Sequence, residues 1–168
     1  MRKDVAVVAV LLGLQACKGE NPDQAQSIIE RGRYLTLIAG CNDCHTDNYA
    51  LANGKIEEKN WLIGSSVGWQ GPWGTTYPSN LRIYFQKTSE EVWIKTARTA
   101  EFRPPMPWFT LRHFSDEDLR AIYHFINSLG SAGEPAPVYL PPGADAPAPK
   151  FELVLPAAPP AAAPAAGG

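Results

Sequence analysis

Hydrophobic positions recur with helical spacing in three stretches of the chain, and the first of them precedes a cysteine motif. This helix has two possible starts. Pro22 is followed by an acid that suits a first turn, while Ser27 and Glu30 have the spacing of a capping box. Gly40 can end the helix, because glycine readily adopts the left-handed conformation found after helices.

Serines open the other two predicted helices. Ser89 precedes two glutamates, and we expect a helix over about residues 89–98. Ser115 precedes three acids, and the helix behind it runs to about residue 129. The inner side of the first of these is predicted to carry Val92, Trp93 and Thr96. The apolar stripe of the last helix comprises Leu119, Ile122, Tyr123, Ile126 and Leu129.

Residues 46–87 form a long stretch rich in Gly, Trp and Asn, with no helical pattern. Irregular loops of this length are uncommon in compact domains unless they are functional. From residue 134 onward Pro and Ala dominate. We expect most of this tail to be disordered, with only the part near residues 138–142 against the domain.

The N-terminus has the pattern of an export signal. Residues 5–14 are apolar and follow Arg2 and Lys3. They are too few to span a bilayer, which takes about 20 residues, but they suit a signal-peptide core. Leu14 stands three residues before Cys17, which resembles a bacterial lipoprotein box. The alternatives are ordinary cleavage nearby or a buried Cys17.

These segments predict a signal peptide over 1–16, a linker over 17–26 from a lipidated Cys17, one domain over 27–133, and the tail over 134–168. The protein is then periplasmic and anchored to a membrane by lipid. A formal net charge of -2, without a basic stripe, does not suggest a nucleic-acid binder.

The motif with specific chemistry is CxxCH, formed by Cys41, Cys44 and His45. It is a signature of c-type haem attachment, in which two thiols bond the vinyl groups of one porphyrin edge and the histidine becomes an iron ligand. A redox dithiol usually lies near a βαβ pattern, which is not apparent here. Half a zinc site would need a fourth ligand from His113 or His124.

Met106 is the predicted second iron ligand. Apart from the initiator it is the only methionine, and prolines on both sides restrict its backbone. A thioether opposite histidine suits electron transfer. The alternatives are a methionine packed in the core, or ligation by His113 or His124.

The residues then resemble a known family, the class I c-type cytochromes, over about residues 28–133. The likeness extends to haem domains in cytochrome subunits of bacterial periplasmic alcohol, gluconate and aldehyde dehydrogenases. It depends on the run from Gly74 through Tyr77 to Asn80, and on Met106 in its proline loop. Family membership implies that Gly32 and Tyr34 contact Tyr123 of the last helix.

The resemblance implies a mainly α fold, with a small helical domain wrapped around one covalent haem c, long loops and the Pro/Ala-rich tail. It implies an electron carrier without catalytic residues, either a free-standing lipid-anchored protein or a subunit of a dehydrogenase complex. A dehydrogenase is the expected donor, and a cytochrome or terminal oxidase the expected acceptor. The alternatives are a haem enzyme or gas sensor with a labile sixth ligand, and a zinc or dithiol lipoprotein.

Further residues are candidates for contact with the haem. Tyr77 and Asn80 can offer hydrogen bonds to its propionates. Arginine suits carboxylates, and the candidates are Arg82, Arg98 and Arg103. Aromatic side chains that can form the walls are Trp61, Trp69, Trp73, Tyr77 and Trp108.

Overall fold

A computed structural model describes residues 22–154 and 156. Within that range the chain is mainly helical, with one small sheet. The helices are α1 (Pro22–Ile38), α2 (Cys41–His45), α3 (Leu81–Gln86), α4 (Glu90–Thr99), α5 (Trp108–Leu111) and α6 (Asp116–Ser128), with a 3-10 turn at Glu58–Asn60. The strands are β1 (Gly68–Gly71), β2 (Gly74–Thr76) and β3 (Lys150–Glu152).

The core lies where α1 crosses α6. Gly32 makes this crossing close, since a Cβ built on it would lie 1.9 Å from the carbonyl oxygen of Ala121 and 2.7 Å from the Cβ of Phe125. Buried side chains surround the crossing. They are Leu35, Trp61, Leu62, Phe85, Trp93, Ala97, Leu119, Ala121, Ile122, Phe125 and Ile126.

The predicted contact of Gly32 with the last helix is confirmed, but the predicted roles of Tyr34 and Tyr123 are wrong. Tyr34 is half exposed and lies beside Arg31. Tyr123 packs on Phe85 and donates to the carbonyl of Thr88. At 100° per residue, positions two apart point to nearly opposite sides of a helix, so Tyr34 cannot share the face of Gly32.

The two serine caps are confirmed. The hydroxyl of Ser89 accepts from the backbone N–H of Val92, and that of Ser115 accepts from Asp118. Trp93 and Ala97 form the buried side of α4, whereas Val92 is 53% exposed and was wrongly placed on that side. At the N-terminal end, α1 begins at Pro22, the earlier of its two predicted starts, so the helix includes part of the predicted linker.

Residues 46–87 contain regular structure that the sequence pattern did not predict. β1 and β2 pair as an antiparallel hairpin, with Trp69 opposite Thr76. β3 adds to the other edge of β1 in parallel, with Trp69 opposite Phe151. The resulting strand order is β2-β1-β3.

The predicted contact of residues 138–142 with the domain is confirmed, whereas the prediction of disorder is wrong for residues 143–153. Leu140 exchanges backbone hydrogen bonds with Thr75, as expected for residues 138–142, and Ala146 is buried. Main-chain pairing stabilises this segment although it has few large side chains. The predicted signal peptide, Cys17 and residues 157–168 lie outside the described residues. None of the described helices has both the length and the apolarity needed to cross a membrane.

Candidate functional site

The CxxCH residues form the single-turn helix α2, which follows α1 after one left-handed residue. Gly40 has φ 69°, a conformation that costs glycine little, and it turns the chain directly into Cys41. Three positions separate the two cysteines, so both side chains lie on one side of the turn. Neither cysteine is in a disulfide, and both are half-buried.

Burial keeps these thiols protonated. It raises the pKa of Cys41 to about 11, and it also raises the pKa of Cys44. A redox dithiol needs a thiolate with a lowered pKa, so the shift opposes the dithiol alternative. Two neutral thiols on one side of a helix fit covalent attachment to one edge of a porphyrin.

His45 is oriented by a backbone carbonyl. Its Nδ1 lies 2.8 Å from the carbonyl oxygen of Ser79. A carbonyl only accepts, so Nδ1 carries the hydrogen and Nε2 keeps its lone pair for a metal. Burial lowers the pKa of His45, while the bond to Ser79 opposes that shift. The ring is therefore neutral at neutral pH, which is the form that ligates metals.

The segments on either side of this bond are locked together. The carbonyl of His45 accepts from the backbone N–H of Gly64 at 2.8 Å. Gly64 has φ 84°, and a Cβ built on it would lie 2.9 Å from the carbonyl oxygen of Pro78. Glycine is thus required where residues 62–64 press against 78–80, and this close packing fixes the carbonyl of Ser79.

A buried hydrogen-bond chain continues behind α2. The hydroxyl of Thr46 donates to the side-chain oxygen of Asn42 at 2.6 Å and accepts from the backbone N–H of Leu62 at 2.8 Å. Asn42 is one of the two variable residues of CxxCH and is 1% exposed. The motif is therefore bonded to the core at two points, through Asn42 and through His45.

Met106 lies in the loop that precedes α5 and is half-buried. Its N–H donates to the carbonyl of Arg103, and its own carbonyl accepts from Trp108. The hydroxyl of Thr76 donates to the carbonyl of Pro104 at 2.7 Å. Residues 76–79 therefore touch both the loop of Met106, through Thr76, and His45, through Ser79.

The short segment from Thr76 to Ser79 limits how far apart the Met106 loop and the His45 ring can lie. Ser79 lies three positions after Thr76, and an extended chain spans at most about 3.6 Å per residue. The anchors of the Met106 loop and of the His45 ring are then within about 11 Å of each other. Residues 76–79 thus keep Met106 and His45 in one region of the protein, and these two residues would hold the iron of a bound haem. The sequence alone did not indicate that Ser79 and Thr76 hold them.

Asn80 and Arg82 make structural hydrogen bonds, and their contacts with propionates stay predictions. The amide of Asn80 accepts from Ile83 at the start of α3 and donates to the carbonyls of Ala132 and Glu134. Both of its amide hydrogens are therefore used. Arg82 is 6% exposed and donates to the carbonyls of Leu129 and Gly130 after α6, and to that of Lys59 in the 3-10 turn.

Three other residues were predicted to contact the haem. Trp61 is in the core, where its indole N–H donates to Ile56, so its prediction as a haem wall is wrong. Arg98 pairs with Asp116. Tyr77 remains a candidate, half-buried with its ring over Gly68.

Trp73, predicted as a wall of the haem site, also has a hydrogen-bond donor available. Its indole nitrogen is buried without a hydrogen-bond partner within the described part of the chain. An unpaired buried donor of this kind costs free energy unless something accepts from it. A carboxylate on a bound cofactor is a suitable acceptor, so the site also fits a porphyrin in this respect.

The two alternative ligands lie elsewhere. His113 is exposed in the turn before α6. The Nε2 of His124 lies 3.0 Å from a carboxylate oxygen of Glu90, which also pairs with Arg120. His124 is thus held on the surface between α4 and α6.

Comparison with known proteins agrees with this geometry. The family model for cytochrome c matches residues 29–130, more than half of the chain. The chain belongs to the cytochrome c family. Its cofactor is accordingly a covalently attached haem c, and electron transfer is its general function.

This cytochrome c is also similar to a curated protein, the fructose dehydrogenase cytochrome subunit of Gluconobacter japonicus. The two are 29% identical over 140 residues, which cover 76% of this chain and 24% of the relative. The chain thus spans about a quarter of the length of that relative. No solved structure gives a significant match.

Proposed function

We propose that this protein is a one-haem electron carrier of the periplasm, in which Cys41 and Cys44 hold the porphyrin and His45 and Met106 ligate the iron. The observation that carries the proposal is the hydrogen bond from Nδ1 of His45 to the carbonyl of Ser79. It leaves Nε2 as the ring nitrogen available to a metal, in the same short helix as Cys41 and Cys44.

Bound haem supplies an iron that changes its oxidation state, and the chain has to keep the ligands still while it does so. The carbonyl of Ser79 holds the imidazole, and Thr76 holds the loop of Met106 through Pro104. Small ligand movement means a small reorganisation on electron transfer. A thioether as the sixth ligand raises the reduction potential.

Location and redox partners are part of the same proposal. The basic residues, apolar run and Cys17 favour export and a lipid anchor. The similarity to a dehydrogenase cytochrome subunit favours a dehydrogenase as electron donor. A cytochrome or terminal oxidase would then be the acceptor.

The lipid anchor is tested by metabolic labelling. Labelled fatty acid should appear in the wild-type protein and be lost in Cys17→Ala; labelling of both would contradict lipidation at this cysteine.

The decisive experiment removes the thioether. Met106→Ala should lower the reduction potential, abolish the long-wavelength absorption band of methionine-ligated ferric haem, and let the ferrous protein bind carbon monoxide. His113→Ala and His124→Ala are matched controls that should leave all three unchanged. An unchanged potential and spectrum in Met106→Ala would contradict the ligand assignment. Strong carbon monoxide binding by the wild type would favour the haem enzyme or gas sensor instead.

Attachment is tested separately. The alkaline pyridine spectrum of denatured protein should be that of haem c, and the mass should include one haem. Cys41→Ser and Cys44→Ser should each leave a single thioether and shift that spectrum. A wild-type mass without haem would end the proposal.

A further inference from the structure

A C-terminal strap, residues 138–153, crosses the hairpin beyond the part of the chain that matches the cytochrome c model. It is bonded to the hairpin at both ends. Leu140 exchanges backbone hydrogen bonds of 2.8 and 3.0 Å with Thr75, and Leu153 donates to the carbonyl of Gln70 at 2.8 Å. Between them the ring of Phe151 lies 4.7 Å from that of Trp69.

One residue of the strap connects it to the loop of Met106. The guanidinium of Arg103 lies over the ring of Tyr139 at 3.8 Å, and the hydroxyl of Tyr139 donates to the carbonyl of Trp73 at 2.8 Å. Arg103 is the residue whose carbonyl accepts from the N–H of Met106. Tyr139 is thus fixed on the hairpin and in turn holds the start of the loop.

We propose that the strap positions Met106 on the iron, with Tyr139 and Arg103 as positioning residues. The inference rests on the proposed function, in which Met106 is the sixth ligand. The loop then has two independent ties to the hairpin, one from Thr76 to Pro104 and one from Tyr139 to Arg103. Each tie removes conformations in which the thioether points away from the metal.

The physical basis is preorganisation. A loop already held in its ligating conformation loses less entropy when its side chain binds, so the bound state is more populated. Strand pairing holds the strap to β1, and a ring under a guanidinium adds a directed contact. Loosening the tie should therefore raise the fraction of protein in which Met106 is off the iron.

The test uses the full-length holoprotein carrying Tyr139→Leu, which removes both the ring and the hydroxyl. Carbon monoxide should bind the ferrous variant about three- to tenfold faster than the wild type. The methionine band of the ferric variant should weaken, and amide hydrogen exchange across residues 103–110 should accelerate. Tyr34→Leu is the matched control, because Tyr34 also lies under an arginine, Arg31 at 5.6 Å, but on α1.

If carbon monoxide binding and amide hydrogen exchange are no faster in Tyr139→Leu than in Tyr34→Leu, the inference is overturned. If Tyr139→Leu does not fold, Arg103→Gln decides, since Arg103 is exposed and its loss leaves the strap paired. That variant should bind carbon monoxide about two- to fivefold faster, and an unchanged rate would count against the strap.

The two proposals can fail separately. A wild-type spectrum without methionine ligation would refute the ligand assignment, whereas hydrogen exchange across residues 103–110 can be compared between variants whichever ligand the iron carries. Unaltered exchange in both variants, in a protein that shows methionine ligation, would refute the strap alone.

Discussion

Replacing Gly32 with alanine would place a methyl group inside the crossing of α1 and α6. The added carbon would lie 1.9 Å from the carbonyl oxygen of Ala121, 2.5 Å from its carbonyl carbon and 2.7 Å from the Cβ of Phe125. The first two atoms are backbone and cannot rotate away. The helices would therefore have to separate by about 1 Å, in a core packed at the density of a crystal.

Two opposing terms decide the size of the effect. Overpacking a core costs about 1–3 kcal/mol, and a backbone obstacle favours the upper end. Alanine in a helix is more favourable than glycine by about 1 kcal/mol. We expect a net loss of about 2 kcal/mol, or a fall of about 6–10 °C in the melting temperature for a domain of this size.

Guanidinium unfolding followed by circular dichroism measures the free energy of unfolding. Ser27→Ala, at an exposed position of the same helix, is the control and should change it by no more than about 0.5 kcal/mol. A Gly32→Ala protein as stable as the wild type would show that helix propensity outweighs packing here. That result would contradict the inference that α1 and α6 are too close at Gly32 for a Cβ.

Three further results are expected. Arg82→Gln should lower the free energy of unfolding by about 3 kcal/mol in a denaturant titration, because the buried carbonyls that Arg82 serves lose charged donors; a change below about 1 kcal/mol would contradict this role. Ser115→Ala should cost about 1 kcal/mol in the same assay and Ser115→Asp should restore it, since either hydroxyl or carboxylate can cap α6; equal loss in both would argue against the cap. Burial lowers the pKa of His45 in the haem-free chain, so the stability of its neutral form is present above about pH 6.5 and is lost as the pH falls through the folded-state pKa. Unfolding of the haem-free protein in a pH series should therefore begin on the acid side, and an onset above pH 7 would contradict the burial of a neutral His45.

The features that the sequence predicted are those encoded within a few neighbouring residues. The caps at Ser89 and Ser115 depend on a hydroxyl and a backbone N–H three residues away, and both formed as expected. The CxxCH spacing likewise fits inside one helical turn. Cytochrome c membership and the haem c cofactor could be predicted for the same reason.

Contacts between distant segments were less predictable, because one side chain suits several partners. A guanidinium binds a propionate or a backbone carbonyl equally well, and Arg82 has three carbonyls around it. The partner of His45 is the backbone of Ser79, so no side-chain pattern could indicate it. Tyr34 was misplaced because a family pattern carries no information on angle, and Tyr34 lies about 200° around α1 from Gly32.

The strap shows why composition led to a wrong prediction of disorder for the C-terminal segment. A sequence rich in Pro and Ala lacks the side chains to form a core of its own, and this is the basis for predicting disorder. An exposed strand edge needs only backbone partners, and β1 offers one to residues about 80 positions away along the chain. A few side chains, chiefly Tyr139 and Phe151, then suffice to set the register, because the hairpin and the α1–α6 core already provide the rigid surface. The order of such a segment is therefore a property of the edge that receives it, and it would be lost if the hairpin were disrupted while the segment's own sequence stayed the same.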